Sequence, residues 1–255
     1  MADTKKEQQF PTEIIDLPSQ GKVYPKDSPL TTGKLEIKYM TTKEEDILTS
    51  QNLIKKGVVI ETLLTSLIVT PDVNVGDLVL GDKNAVMIAA RILAYGPEYT
   101  AEVTNPNTGD TDTFTFNLAD CPFKLIPDDL EVNKNEFEVS LPVSKKEVKF
   151  KLLTGKEEIQ IEKELESVKK TGSQVSPELT TRLRHSIVSV DGETNSGTIS
   201  NFVSSMLSRD SLFLRQEMNR VSPDIELRQE VEMEGETVTV DIPMTVDFFW
   251  PSTVG

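Results

Sequence analysis

Apolar and polar residues alternate from Leu35 to Tyr39 and again from Val148 to Leu152. In both places the alternation gives way at once to a Thr-x-x-Glu spacing, Thr41 with Glu44 and Thr154 with Glu157. Period-two alternation predicts a strand. A hydroxyl three residues before a carboxylate predicts a helix start, because the pair satisfies the orphan amides of a first turn. The two stretches, Leu35 to Glu45 and Val148 to Glu158, match at a spacing of 113 residues (154 − 41).

Two further blocks repeat in the same order. Thr65-Ser66-Leu67-Ile68 answers His185-Ser186-Ile187-Val188, and the segment from Lys83 to Leu118 lies without a gap on that from Arg209 to Met244. Ile88, Ile92 and Tyr95 form one helical stripe, Leu214, Met218 and Val221 another, and each stripe is stopped by a proline, Pro97 or Pro223. Paired alternating runs then predict hairpins: Tyr99 to Val103 with Thr113 to Leu118, and Ile225 to Val231 with Thr237 to Met244. Gly109 and Gly235 fall in the two turns. This predicts an α+β fold made of two tandem diverged copies of a strand–helices–β-hairpin unit. The expected divisions are an extended N-terminal arm (1–34), a first lobe (35–121), a linker (122–135) centred on Pro127-Asp128-Asp129, and a second lobe with an aromatic C-terminal tail (136–255).

Charge narrows the partners. Acidic residues outnumber basic ones 42 to 27 among 255, a formal charge of −15, and no basic cluster rises above that background. Such a field repels phosphate backbones, so nucleic acid is not an expected partner. No run approaches the roughly 18 apolar residues of a spanning helix, so no membrane partner is expected either. Met1 to Phe10 is polar and of mixed charge, unlike a signal or transit peptide, which points to synthesis in a cytosol.

Candidate chemistry is sparse. The carboxylate pairs Glu44-Glu45 and Glu157-Glu158 fall in first helical turns, where acids complement the helix dipole. Asp72 to Asp77 faintly resembles a calcium loop, but Asp77 stands where glycine is required and Lys83 where a bidentate glutamate is required. Asp110 to Asp112 reads as a hairpin tip. His185 is the sole histidine and Cys121 the sole cysteine, so thiolate cages and internal disulfides are excluded. His185 reads as a surface or groove residue, and Cys121 as a small buried hydrophobe. No phosphate-binding, dinucleotide, nucleophile-elbow or zinc-protease motif occurs. The expectation is a non-enzymatic protein with no catalytic residue, no metal, no cofactor and no small-molecule substrate. A metal-dependent hydrolase would need carboxylates that converge on a cation.

Two segments are suited to contact. Leu17, Pro18, Gly21, Tyr24 and Pro25 belong to a proline- and glycine-rich arm that lies either on its own domain or on a neighbour. Phe248, Phe249 and Trp250 cannot all face one core from one strand, so at least one is expected against a partner or beneath another segment. These eight are the partner-binding candidates.

The same residues carry a resemblance. Leu17-Pro18-Ser19-Gln20-Gly21 with Tyr24-Pro25, Tyr39 to Leu48, Leu80-Gly81-Asp82, Arg91 to Gly96 and Phe248-Phe249-Trp250-Pro251 resemble the T4-type phage baseplate hub proteins over nearly the whole chain. The resemblance implies a virion structural protein of a contractile-tail baseplate, built into the hub, binding other tail and baseplate proteins, and present in the host cytoplasm during assembly. The alternative it leaves is a hub assembly factor absent from the mature virion. Members of that family often carry Cys-Pro-x-Cys-Gly knuckles at the hairpins. Here the corresponding positions are Asn105, Thr108, Val231 and Glu234, a set that cannot hold tetrahedral zinc.

Overall fold

The computed structural model describes residues 10–105, 108–128, 130, 134–172, 175–233, 235–244 and 246–249. The fold is α+β, with small antiparallel sheets and helices around one continuous apolar core. The first half opens with β1 (Thr12–Asp16) paired to β2 (Lys34–Lys38), followed by α1 (Thr42–Thr49), α2 (Gln51–Lys55), α3 (Val59–Leu67) and α4 (Leu80–Tyr95). It ends in the hairpin β3 (Glu98–Thr104) and β4 (Thr111–Asn117). After β5 (Phe123–Lys124) the second half runs β6 (Phe137–Ser140), β7 (Glu147–Phe150), α5 (Gly155–Lys170), α6 (Glu178–Ser186), β8 (Ile187–Val190), α7 (Ser196–Ser205) and α8 (Ser208–Val221). It closes with β9 (Asp224–Ile225) and the hairpin β10 (Arg228–Met233) and β11 (Glu236–Asp241).

Both Thr-x-x-Glu spacings form capping boxes, at the starts of α1 and α5. Glu44 also takes Lys38 Nζ at 2.8 Å and the Ser66 hydroxyl at 2.7 Å, while Lys151 Nζ meets Glu157 at 2.5 Å. Burial alone would raise the Glu44 carboxyl, but the hydrogen bonds from Lys38, Thr41 and Ser66 outweigh it and hold it at about 2. Each helix that precedes a hairpin stops before its proline, α4 at Tyr95 and α8 at Val221. Gly109 and Gly235 both turn in the left-handed region, at φ +83° and +84°.

Long-range pairing adds features that local patterns do not carry. The N-terminal arm lies on its own chain: β1 pairs with β2, and Leu17, Val23, Tyr24 and Leu30 enter the core. Part of the expected linker forms β5, which pairs with β9 and so breaks the first strand of the second hairpin into β9 and β10. The β-branched run Ile187-Val188-Ser189-Val190 leaves α6 as a strand on β7, whereas the first half makes only an Ile37–Ile68 bridge. α4 and α8 end at the matched residues Tyr95 and Val221, but α4 has 16 residues and α8 has 14, so their starts, which precede the ungapped match, stand two residues out of its register.

The halves meet along a tight seam. Val79 bridges Thr154; Leu80 N–H donates to the Leu153 carbonyl at 3.2 Å, and Gly155 N–H to the Leu78 carbonyl at 3.1 Å. Gly81 is obligatory there, since a Cβ would stand 1.8 Å from the Pro223 carbonyl oxygen. Asn84 donates to Asp224 at 3.0 Å across the same seam.

Candidate functional site

The two contact segments meet opposite ends of α4. At its N-terminus, Asp82 is completely buried and accepts three hydrogen bonds from the arm: Ser19 N–H at 2.9 Å, the Ser19 hydroxyl at 2.6 Å and the Tyr24 hydroxyl at 2.6 Å. The Tyr24 oxygen in turn accepts Val79 N–H at 3.1 Å. Burial pushes the Asp82 carboxyl up against the pull of the Ser19 and Tyr24 donors, and Asp224 adds to the rise. Burial and the neighbouring Asp82 charge push the Tyr24 phenol far up as well. The strap closes on itself because Gly21, at φ +77°, brings its backbone against Thr31, where a Cβ would stand 2.3 Å from the carbonyl oxygen.

At the other end of α4, buried Arg91 spends its guanidinium on carbonyls. Nε donates to Phe248 at 2.9 Å, one terminal nitrogen to Gly96 at 3.1 Å and the other to Glu98 at 3.3 Å, while Tyr95 and Tyr99 stack beside it. Phe248 and Phe249 are fully enclosed. Phe248 meets Tyr99 edge-on at 5.0 Å, and the two phenylalanine rings meet edge-on at 5.3 Å.

Of the placements left open for the partner-binding candidates, the structure shows the one on the chain itself. Leu17, Pro18, Gly21 and Tyr24 are covered by the chain's own core, and only Pro25 of that group is exposed. Phe248 and Phe249 are both interior because residues 246–249 form a turn of 3-10 helix, in which neighbouring side chains do not alternate as they do on a strand. Trp250 lies outside the described residues. The sequence does not mark Ser19, Asp82 and Arg91 as the anchors of the two segments. Asp82 and Arg91 stand inside motif stretches, but only their distant partners reveal the role.

Reactive groups elsewhere are occupied. Arg182 clasps Glu158 through two nitrogens at 3.0 and 2.6 Å. His185 Nε2 lies 2.9 Å from Glu164, which Arg184 also reaches at 3.0 Å. Cys121 is half-buried, its thiol pushed up by burial and by Asp120 and Glu226. No three His, Cys, Asp or Glu side chains among the described residues converge to hold a metal ion, and no described helix is long and apolar enough to cross a membrane. At the knuckle positions Asn105 and Val231 are buried and Thr108 is exposed, an amide, an isopropyl group and a hydroxyl that do not fit zinc; Glu234 lies outside the described residues. The first turn is held instead by its backbone, Asn105 N–H to Asp110 at 2.7 Å and Gly109 N–H to Asn105 at 2.9 Å.

What the arrangement does is fasten the chain to itself. A family profile described as T4 bacteriophage base plate protein matches residues 11–250, which span β1, the strap, α4 and the aromatic turn. The chain belongs to that family. No curated protein and no solved structure matches it. Membership in the T4 base plate family makes this a phage baseplate protein, and it implies a place in the virion tail and contact with other tail proteins. In this base plate protein, Ser19, Tyr24, Asp82 and Arg91 are structural fasteners.

Proposed function

We propose that the chain is a non-enzymatic structural subunit of the hub region of a contractile-tail baseplate, acting by protein–protein docking. The observation that carries this reading is the use made of the polar groups in its characteristic segments. Asp82, Tyr24, Ser19 and Arg91 all terminate in bonds within the chain, which leaves recognition to surface shape. The two halves are read as descendants of one doubled unit. In support, a Leu-Pro turn docks on the start of the last long helix in each: Leu17-Pro18-Ser19 on Asp82, and Leu141-Pro142-Val143-Ser144 on Asp210, which accepts Val143 N–H at 2.8 Å and Ser144 N–H at 3.0 Å. Two similar but non-identical surfaces let one chain touch two neighbours or bridge a symmetry mismatch.

Quantitative mass spectrometry of purified particles tests the reading. A stoichiometric peptide signal is expected. Absence from finished particles, with hub assembly still dependent on the chain, would make it an assembly factor instead.

A further inference from the structure

At the seam the chain displays what covers one of its own faces. Leu78 and Val79 are extended and, with Leu80 at the start of α4, run antiparallel across Leu153-Thr154-Gly155, joined by the two backbone hydrogen bonds given above, with Val79 only 1% exposed. If the halves are a doubled unit, on which this inference rests, each side of that contact has a counterpart in the other half.

Local geometry identifies the counterparts. Thr41 and Thr154 are the capping residues of their boxes, so Met40-Thr41-Thr42 answers Leu153-Thr154-Gly155. Val79 and Leu207 are the residues before α4 and α8, both extended, at φ −63°, ψ 151° and φ −65°, ψ 139°. The residue before each closes the same turn, Leu78 N–H to Val75 at 3.2 Å and Met206 N–H to Val203 at 3.4 Å. The buried Asp82 and Asp210 follow each at the same distance. Met206-Leu207-Ser208 therefore answers Leu78-Val79-Leu80.

These second faces are not joined to each other. Among the described residues, no hydrogen bond reaches the Met40 or Met206 carbonyl or leaves the Thr42 or Ser208 N–H, the four groups equivalent to those paired at the seam. Leu207 is 51% exposed where Val79 is buried. We propose that a second copy of this chain completes the contact, with Met206–Ser208 of one copy lying antiparallel across Met40–Thr42 of the next. Charge fits that occupant. Exposed Arg209 takes the place of Gly81, and exposed Glu98, after exposed Pro97, takes the place of Asp224. The Cβ of Arg209 excludes the close helix-start approach that Gly81 allows at the seam, so the copies meet only through the extended residues and the Arg209 and Glu98 charges, a looser contact than the internal one. Donor and acceptor faces differ, so the association is head-to-tail and grows into a ring or an open chain rather than a closed pair.

Sedimentation velocity of the purified full chain tests this. Wild type is expected to form oligomers that grow with concentration. Leu207→Glu damages the donor face at an exposed position. Thr42→Pro removes from the opposite face the N–H that would donate across the contact, at the first helical position, where proline is well tolerated, and Thr41 before it is already extended at φ −123°, ψ 174°. Each variant alone is expected to be monomeric with an unchanged melting curve. Their equimolar mixture is expected to dimerise, because one keeps the acceptor and the other the donor. A wild type that stays monomeric to about 100 µM, well above the range of specific association, overturns the proposal. So do oligomers that survive in both variants, or a mixture that stays monomeric. None of these outcomes touches the doubled-unit reading, which superposition of the two halves decides separately.

Discussion

Asp82 is a carboxylate taken wholly out of water and then surrounded by donors from a segment about sixty residues earlier. Removing one partner of such a group leaves the others buried and unsatisfied, which costs more than the bond contributes. Tyr24→Phe is expected to lose about 1–2 kcal/mol of stability and Asp82→Ala about 3 kcal/mol, read by urea denaturation. Both should expose the strap between Leu17 and Leu30 to proteolysis before the rest of the chain opens; unaltered cleavage kinetics would mean that the strap is held by packing alone. Glu44 makes the opposite electrostatic bargain. Its folded carboxyl sits at about 2, below the ordinary 4.5, so the stability it contributes is complete above pH 4.5 and is lost as the pH falls toward 2. Glu157 and Asp210 shift downward too, whereas Asp82 shifts upward and gives its contribution at low pH, losing it as the pH rises. The melting temperature should fall between pH 4.5 and 2, and Lys38→Met should flatten that fall by removing one of the donors that hold Glu44 charged.

Helix starts, helix stops and hairpin turns were legible in the sequence because each depends on residues within a few positions. The capping boxes of α1 and α5 need only a hydroxyl and a carboxylate three apart, and the stops after Tyr95 and Val221 need only a proline. Thr41→Ala and Thr154→Ala should each lose about 1 kcal/mol, and the double variant should lose their sum to within about 0.5 kcal/mol, measured as midpoint shifts in denaturant. A large excess in the double variant would mean that the two starts are coupled through the seam. Elements that owe their form to distant partners were not legible. The strap has the composition of a loop and is ordered by Asp82. The aromatic turn reads as a strand end until Arg91 reaches the Phe248 carbonyl. Phe123 and Lys124 carry no strand pattern of their own, and they pair because Asp224 and Ile225 arrive beside them. The choice between a partner and the chain's own cover for the aromatics was open for a related reason: a sequence says nothing about a helix lying elsewhere in the chain that is ready to cover them.

The two halves are fastened at one place where no side chain can stand. Gly81 lies at the start of α4 with the backbone of Pro223 and Asp224 against it, so any Cβ there must displace peptide atoms rather than a yielding side chain. Around that point run the Val79–Thr154 bridge, the paired backbone bonds and the Asn84–Asp224 contact, and at the base of the hairpins Tyr99 donates to the Pro243 carbonyl at 3.0 Å. A seam of backbone bonds and packed apolar surface couples what it joins, so the wild-type chain should unfold in a single transition in which fluorescence and circular dichroism coincide. Gly81→Val forces the seam open. Overpacking of this kind costs about 1–3 kcal/mol when neighbours can shift, and more when they are backbone. The loss should fall on the coupling rather than on either half, because α4 keeps its apolar stripe and Asp82 keeps its donors. The expected result is an earlier unfolding midpoint and a transition that splits, its first phase reporting separation of the halves. A variant that loses stability yet still unfolds in one coincident step would show that the halves share a core too extensive for the seam to divide.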